Sequence, residues 1–203
     1  MRTLTLEERA LAVTVPFSPV APAAERRPEE LRLVDAAQQG DRSAFAELYA
    51  AYTRMVHGIL LARVPRADVD DLAQDVFLQA MQRLRSLRDA AAFGGWLAAI
   101  ARHRAADHIR RAPPMTELPE DLGSGGAYDQ QSQQSQAEAL AVLAIIQSLP
   151  EAYRETLVLR LVEGMTGPEI AARTGLTPAS VRVNLHRGMK QLRERLERRS
   201  PRE

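Results

Sequence analysis

The sequence predicts an all-α protein of two small helical domains joined by a flexible linker, and three observations carry that prediction. Aromatic residues make up only 4% of the 203 residues while Ala, Leu, Arg and Gln are abundant. Such a mixture favours helix over sheet, because straight-chain side chains lose little rotamer freedom in a helix. Apolar residues recur at spacings of three and four, and no period-two alternation runs long enough to make a strand. Between two such helical stretches lie Pro113, Pro114, Gly123, Gly125, Gly126 and a Gln/Ser run, which has the composition of a linker.

The elements follow in order. Residues 1–28 hold Pro16, Pro19, Pro22 and Pro28 without sustained periodicity and are expected to be disordered. A first helix is expected from Glu29, with Leu31, Leu33, Val34 and Ala37 mostly on one face and Gly40 as its stop. Asp41 is placed to cap a second helix, whose stripe runs through Phe45, Leu48, Tyr49, Tyr52, Val56, Ile59 and Leu60 to a stop at Pro65. A third helix from about Asp68 turns Leu72, Val76, Phe77, Ala80 and Leu84 inward and crowds acids into its first turn, where the helix dipole favours them. After a loop at residues 86–92, Phe93, Trp96, Leu97, Ile100, Ala101 and Ile109 mark a fourth helix that Pro113 and Pro114 stop. The first domain is therefore read as residues 29–111, an acidic flexible linker as 112–138, and the second domain as 139–199. In the second domain Leu140, Leu143, Ile146 and Leu149 form a helix closed by Pro150, and Tyr153, Leu157, Leu159, Leu161 and Val162 form the next.

Composition excludes several classes of function. With no cysteine there is no disulfide framework, no thiolate zinc site and no thiol catalysis, and the chain suits a reducing compartment. The longest apolar stretch, residues 137–146, is too short to insert in a membrane. The N-terminus carries no secretory pattern, so a cytoplasmic protein is expected. Net charge is only +1, but it is unevenly spread. Residues 83–111 carry seven Arg against Asp89 and Asp107, and residues 182–199 carry seven Arg or Lys against Glu194 and Glu197. Between them, residues 112–139 carry five acids and no base. Two positive patches flanking a negative segment point to nucleic acid as a partner.

The sharpest local signal runs from Thr166 to Leu196. Thr166-Gly-Pro-Glu169 has the form of a capping box, Ile170, Ala171 and Ala172 make a short helix, and Gly175 suits the left-handed position that ends it. Leu176 can plug the turn, Thr177 can cap a second helix, and Pro178 sits at its first position, where a missing N–H costs nothing. On that helix Val181, Leu185, Met189, Leu192 and Leu196 share one side. Ala179, Ser180, Val183, Arg187 and Lys190 fall opposite, with Arg182 and His186 flanking. Small residues leading into cations suit a helix that enters the major groove, so the unit reads as a DNA-binding helix-turn-helix.

Three segments then carry a resemblance to the extracytoplasmic-function (ECF) branch of the sigma-70 family of bacterial RNA polymerase sigma factors. They are Gly40-Asp41-x-x-Ala44-Phe45-x-x-Leu48-Tyr49-x-x-Tyr52; Asp70-Asp71-Leu72-x-Gln74-Asp75-Val76-Phe77 with Phe93-x-x-Trp96-Leu97-x-x-Ile100-Ala101; and Leu149-Pro150 followed by Glu169-Ile170-Ala171, Gly175 and Val181-Arg182-x-x-Leu185-x-Arg187-Gly188. The resemblance implies regions 2 and 4 of the larger sigma factors, a helical bundle and a helix-turn-helix. It implies binding to core RNA polymerase through Asp71, Gln74, Asp75 and Met81, with Leu72 and Val76 in the core. It implies recognition of the promoter's −10 element through Arg102, His103, Asp107, Arg110 and Arg111, with Arg104 adding phosphate charge and the loop at residues 86–92 accepting a flipped base. The −35 element would be read by Arg182, Val183, Asn184, His186, Arg187 and Lys190. The partners implied are core polymerase, promoter DNA and an anti-sigma factor.

Other readings explain less. His103, Asp107 and His108 share a helix and invite a metal, but no third strong ligand follows, and no Gly-rich phosphate loop occurs. No catalytic residue, metal or cofactor is expected, and the chain is not read as an enzyme. A helix-turn-helix regulator that does not bind core polymerase would leave the Asp70–Phe77 segment and Trp96 without a role.

Overall fold

The structure is a computed structural model that describes residues 23–111 and 130–199. Among the described residues there are eight α-helices and no strand: α1 Ala23–Gln38, α2 Arg42–Leu61, α3 Val69–Arg83, α4 Phe93–Arg111, α5 Gln130–Gln147, α6 Glu151–Leu161, α7 Gly167–Thr174 and α8 Pro178–Arg199. Helices α1–α4 form the N-terminal bundle and α5–α8 the C-terminal one.

Each boundary has a local cause. Gly40 takes φ +100°, a backbone that a side chain resists, and Asp41 follows at an extended φ of −70° and ψ of 108°. From there Asp41 Oδ1 accepts hydrogen bonds from the Ser43 N–H at 2.8 Å and the Ala44 N–H at 3.2 Å, satisfying donors the start of α2 leaves orphaned. Most of the α2 stripe is buried as its periodicity requires, with Leu48, Tyr52, Val56, Ile59 and Leu60 all at most 1% exposed, but Phe45 is half-buried and Tyr49 lies at the surface. A single 3-10 turn, Arg66–Asp68, leads from Pro65 into α3. Two more, Leu84–Ser86 and Ala90–Ala92, shape the loop before α4. That loop is tied to α1, because the Gln38 amide donates to the carbonyls of Leu84 at 3.0 Å and Leu87 at 2.7 Å.

Two boundaries read from the sequence move. The first helix begins at Ala23, six residues before Glu29, with Pro28 inside it. The residues ahead of that proline, Ala23-Ala24-Glu25-Arg26-Arg27, are good helix formers, and Pro28 removes only one backbone bond. The fifth helix begins at Gln130, so the stretch assigned to a linker to 138 is helical over its last nine residues. Gln and Ala favour helix and the run holds neither Gly nor Pro to stop it. The rest of both segments, 1–22 and 112–129, lies outside the described residues.

The two bundles pack directly on each other and share a continuous apolar core, from Val34 through Phe93 and Leu97 to Leu157, Leu159, Ile170 and Leu192. Helix α6 lies along the C-terminal half of α2, and α7 abuts the start of α4. Close approach depends on small residues. A Cβ on Gly58 would meet the Leu159 side chain at 2.7 Å and that of Glu163 at 2.8 Å, and one on Gly94 would meet the Arg173 carbonyl oxygen at 2.7 Å. Among the described residues no helix is long and apolar enough to cross a membrane.

Candidate nucleic-acid interface

The helix-turn-helix is α7 and α8, and its capping follows the sequence closely. The Glu169 N–H donates to Thr166 Oγ1 at 3.4 Å and the Thr166 N–H donates to Glu169 Oε2 at 2.8 Å, closing the capping box. Gly175 ends α7 at φ +75°, and Thr177 Oγ1 accepts from the Ser180 N–H at 3.1 Å to start α8. Val181 and Leu192 anchor α8 at 1% and 2% exposure, while Leu185, Met189 and Leu196 pack partly buried beside them. The opposite face carries exposed Arg182, Val183, His186, Arg187 and Lys190, with Ala179 and Ser180 leading in; Asn184 is half-buried at the edge. Arg182, Val183, His186 and Arg187 line one shallow concavity. Among the described residues no ion pair involves Arg182, Arg187 or Lys190, so these cations remain available to phosphates and base edges.

The second basic surface, on α4, is organised differently. His103, Asp107, Arg110 and Arg111 lie along one side, where His103 Nε2 sits 3.3 Å from Asp107 Oδ2 and Arg110 also bonds that carboxylate. The hydrogen bond from Arg110, aided by the charges of His103 and Arg111, holds the Asp107 carboxyl below the usual carboxylate range. Here Asp107 sits between His103 and Arg110, while Arg111 is exposed beside them. Arg104 is turned away toward α3, 3.2 Å from Asp75.

Arg102 does not share that face. It points across the seam between the bundles, where its Nε donates to Glu155 Oε2 at 3.0 Å and an NH2 donates to Oε1 at 2.7 Å. The same NH2 donates to the Thr174 carbonyl at 3.2 Å. Arg63 adds a third contact to Glu155, at 2.8 Å, and reaches Glu151 at 3.3 Å. Glu155 is only 5% exposed. Burial alone would push its carboxyl up, but the hydrogen bond and charge of Arg102, with Arg63, outweigh this and hold it below the ordinary value. That same bond holds the Arg102 guanidinium more firmly protonated. A second contact crosses the seam at His57, whose Nδ1 lies 2.6 Å from Glu163 Oε1, with Arg54 3.9 Å from the other oxygen.

On α3 the four residues expected to meet a protein partner, Asp71, Gln74, Asp75 and Met81, are all exposed and lie in one stripe. Val76 is fully buried as expected, and Leu72 packs half-buried against the core. The structure adds Leu78 to the stripe: it is 53% exposed, one turn from both Gln74 and Met81, and was not singled out by the sequence reading. Its signal was there, since it falls outside the Val76–Phe77–Ala80 core side. Tyr49 on α2, 42% exposed with its ring tilted against that of Phe77 at a centroid distance of 4.3 Å, borders the same patch. Trp96 is half-buried against Phe93, with ring centroids 5.9 Å apart, a packing position and not an open stacking platform. Among the described residues no cluster of His, Asp or Glu is arranged to hold a metal.

Two family models match this chain. The model of sigma-70 region 2 matches residues 48–113, and that of sigma-70 region 4 matches residues 139–192. The chain is 33% identical over 167 residues to the ECF RNA polymerase sigma-E factor of Escherichia coli (strain K12), covering 76% of this chain and 87% of that one. It is 29% identical over 178 residues to the sigma-E factor of Haemophilus influenzae (strain ATCC 51907 / DSM 11121 / KW20 / Rd), covering 81% and 94%. Among solved structures, CnrH in complex with the cytosolic domain of CnrY matches 84% of this chain and 99% of that chain at 25% identity, with a TM-score of 0.60.

Proposed function

The chain belongs to the ECF sigma factors of the sigma-70 family, and from that membership we propose how its surfaces divide the work of starting transcription. As a sigma factor it binds core RNA polymerase and directs promoter-specific transcription. The α3 stripe of Asp71, Gln74, Asp75, Leu78 and Met81 is the polymerase-binding surface, an apolar centre ringed by acids. Asp75 serves it in part only, being shared with Arg104. The α4 face of His103, Asp107, Arg110 and Arg111 meets the −10 element, and Arg102 joins it only when released from Glu155. The α8 face of Arg182, Val183, Asn184, His186, Arg187 and Lys190 reads the −35 element.

One observation carries this reading: a capped recognition helix whose outward cations have no ion-pair partner among the described residues stands in the same chain as an exposed acidic-apolar stripe. In α8 the Val183 methyl groups suit thymine methyls, and Arg187 is long enough to fork onto a guanine. The factor acts in the cytoplasm, without enzymatic chemistry of its own. An anti-sigma partner is also proposed, since CnrH is held by the cytosolic domain of another protein.

The test is in vitro transcription with core polymerase on a promoter library, paired with a polymerase pull-down. Leu78→Asp should lower polymerase retention by about tenfold or more, as a charge placed at the centre of an apolar contact does. Arg187→Ala should leave retention unchanged and reduce −35-dependent initiation. A chain that binds the library DNA but never retains polymerase would instead be an ordinary helix-turn-helix regulator.

A further inference from the structure

We propose that Glu155 stands in for a DNA phosphate within the free protein. By holding Arg102 it keeps the two bundles closed on each other, with the −10 surface incomplete until α6 and α7 are drawn away from α2 and α4. The proposal rests on the assignment of Arg102 to that surface and adds its regulation.

Three observations carry it. The contact is a two-pronged fork, Arg102 Nε and NH2 on the two Glu155 oxygens at 3.0 and 2.7 Å, which is the geometry by which arginine takes a phosphate. A phosphate and the Glu155 carboxylate cannot both occupy that fork, so closure and DNA contact at Arg102 exclude each other. Burial makes the competition strong, because Glu155 is 5% exposed and receives Arg63 as well, at 2.8 Å.

The second observation is the fit of the two surfaces. Gly58, Gly94 and Gly95 line the N-terminal side of the seam, where a Cβ on Gly58 or Gly94 would collide with Leu159, Glu163 or the Arg173 carbonyl, and Gly95 lies against Gly175. Gly58 sits deep inside α2, where glycine weakens a helix, and it has no turn or left-handed backbone to explain it. Clearance for α6 is what its missing side chain provides.

The third is the spread of the closure contacts over the whole seam. Besides the Arg102 fork, Gln147 donates to the Leu61 carbonyl at 2.8 Å, Arg173 donates to the Ala51 carbonyl, and His57 meets Glu163 at 2.6 Å. All three cross between the same two bundles. These charged and hydrogen-bonded contacts ring the apolar core that the bundles share, and each of the polar groups regains hydration on release.

The experiment uses the full chain and two variants that attack the seam by different chemistry. Gly58→Leu fills the clearance while strengthening α2 as a helix, and Glu155→Gln keeps side-chain volume while releasing the arginines. Circular dichroism establishes that each variant keeps its helix content, small-angle scattering gives its radius of gyration, and anisotropy with a labelled mixed-sequence single-stranded DNA gives its affinity. Both variants should expand and bind this probe roughly tenfold more tightly than the parent, as expected when a mostly closed population is opened. Adding Arg102→Ala to Gly58→Leu should remove that gain. If the parent is already as expanded as the variants, or if they expand without binding more tightly, the latch is wrong. In the second case a loss of binding on Arg102→Ala would leave the −10 assignment standing. A gain that survives Arg102→Ala would overturn both.

Discussion

The two basic surfaces of this molecule have similar composition and opposite circumstances. On α8, Arg182, Arg187 and Lys190 project from a helix whose other face is buried, and among the described residues no ion pair holds any of them. On α4 and beside it, Arg102 and Arg63 converge on Glu155, Arg104 reaches Asp75, and Arg110 shares Asp107. Equal densities of arginine along a sequence therefore mean different things. An unpaired arginine is free for DNA, whereas one forked onto a buried carboxylate must first lose that partner. The proposed −35 surface is ready-made, and the proposed −10 surface has to be assembled.

The largest effect should come from the support the two surfaces share. Leu157 is fully buried in α6, and its side chain lies where a Cβ on Gly188 of the recognition helix would approach to 3.0 Å. Leu157→Ala should cost about 2–5 kcal/mol of stability through lost transfer energy and the cavity left behind. Thermal unfolding followed by circular dichroism would register this as a lowered midpoint. A change of only a few tenths of a kcal/mol would mean α6 does not brace α8 as described.

The contrast between paired and unpaired arginines can be put directly, with the same substitution at two places. Arg187→Ala should weaken −35 DNA binding by about 1–3 kcal/mol with the unfolding midpoint unmoved. Arg63→Ala should do the reverse: DNA binding by the C-terminal bundle holds, while stability falls by about 1–3 kcal/mol because Glu155 loses one of its charged donors. If Arg187→Ala proves as destabilising as Arg63→Ala, the division between free and committed cations fails.

What could be read from the sequence, and what could not, follows the span of each interaction. The Asp41 cap, the Thr166–Glu169 box and the Gly175 turn each join residues within about four positions, so a single window contains both partners. The α3 stripe was likewise readable except for Leu78, an apolar residue that lies outside the charged and polar pattern although its register points outward. The seam was not readable. Arg102 meets Glu155 across 53 residues and His57 meets Glu163 across 106. Nothing local to Arg102 distinguishes it from Arg110, one of which faces a carboxylate on another helix and the other an acid three residues away. Both helix starts that moved, at Ala23 and Gln130, lie in runs of good helix formers without an apolar stripe, where periodicity gives no signal.

A smaller effect tests a cap on the ready-made surface. Thr166→Ala removes an oxygen that accepts from the Glu169 N–H and should cost about 1 kcal/mol. Because α7 sets the angle of α8, −35 binding should weaken slightly, while polymerase retention through α3 stays constant. Thr166→Ser should restore both, since serine caps as well as threonine, and failure of that rescue would assign the loss to packing of the threonine methyl.

The smallest effect separates the two kinds of charge contact within the seam by pH. The hydrogen bond that His57 donates to Glu163 raises the His57 pKa above its ordinary value; burial and Arg66 oppose this, and the charges of Glu163 and Asp70 add to it. A raised histidine contributes stability that is fully present below the unfolded value of about 6.5 and is lost as pH rises through the folded value. Glu155 behaves oppositely: its lowered pKa contributes stability present above about 4.3, the unfolded value, and lost as pH falls through the folded one. The seam should therefore be tightest between about pH 4.5 and 6.5 and should loosen on the alkaline side through His57 alone. Unfolding midpoints of the parent and His57→Gln should differ most below about pH 6.5 and converge as the pH rises past the folded His57 value. A difference that stays constant over that range would mean His57 acts by packing, and that only the Arg102 fork responds to charge.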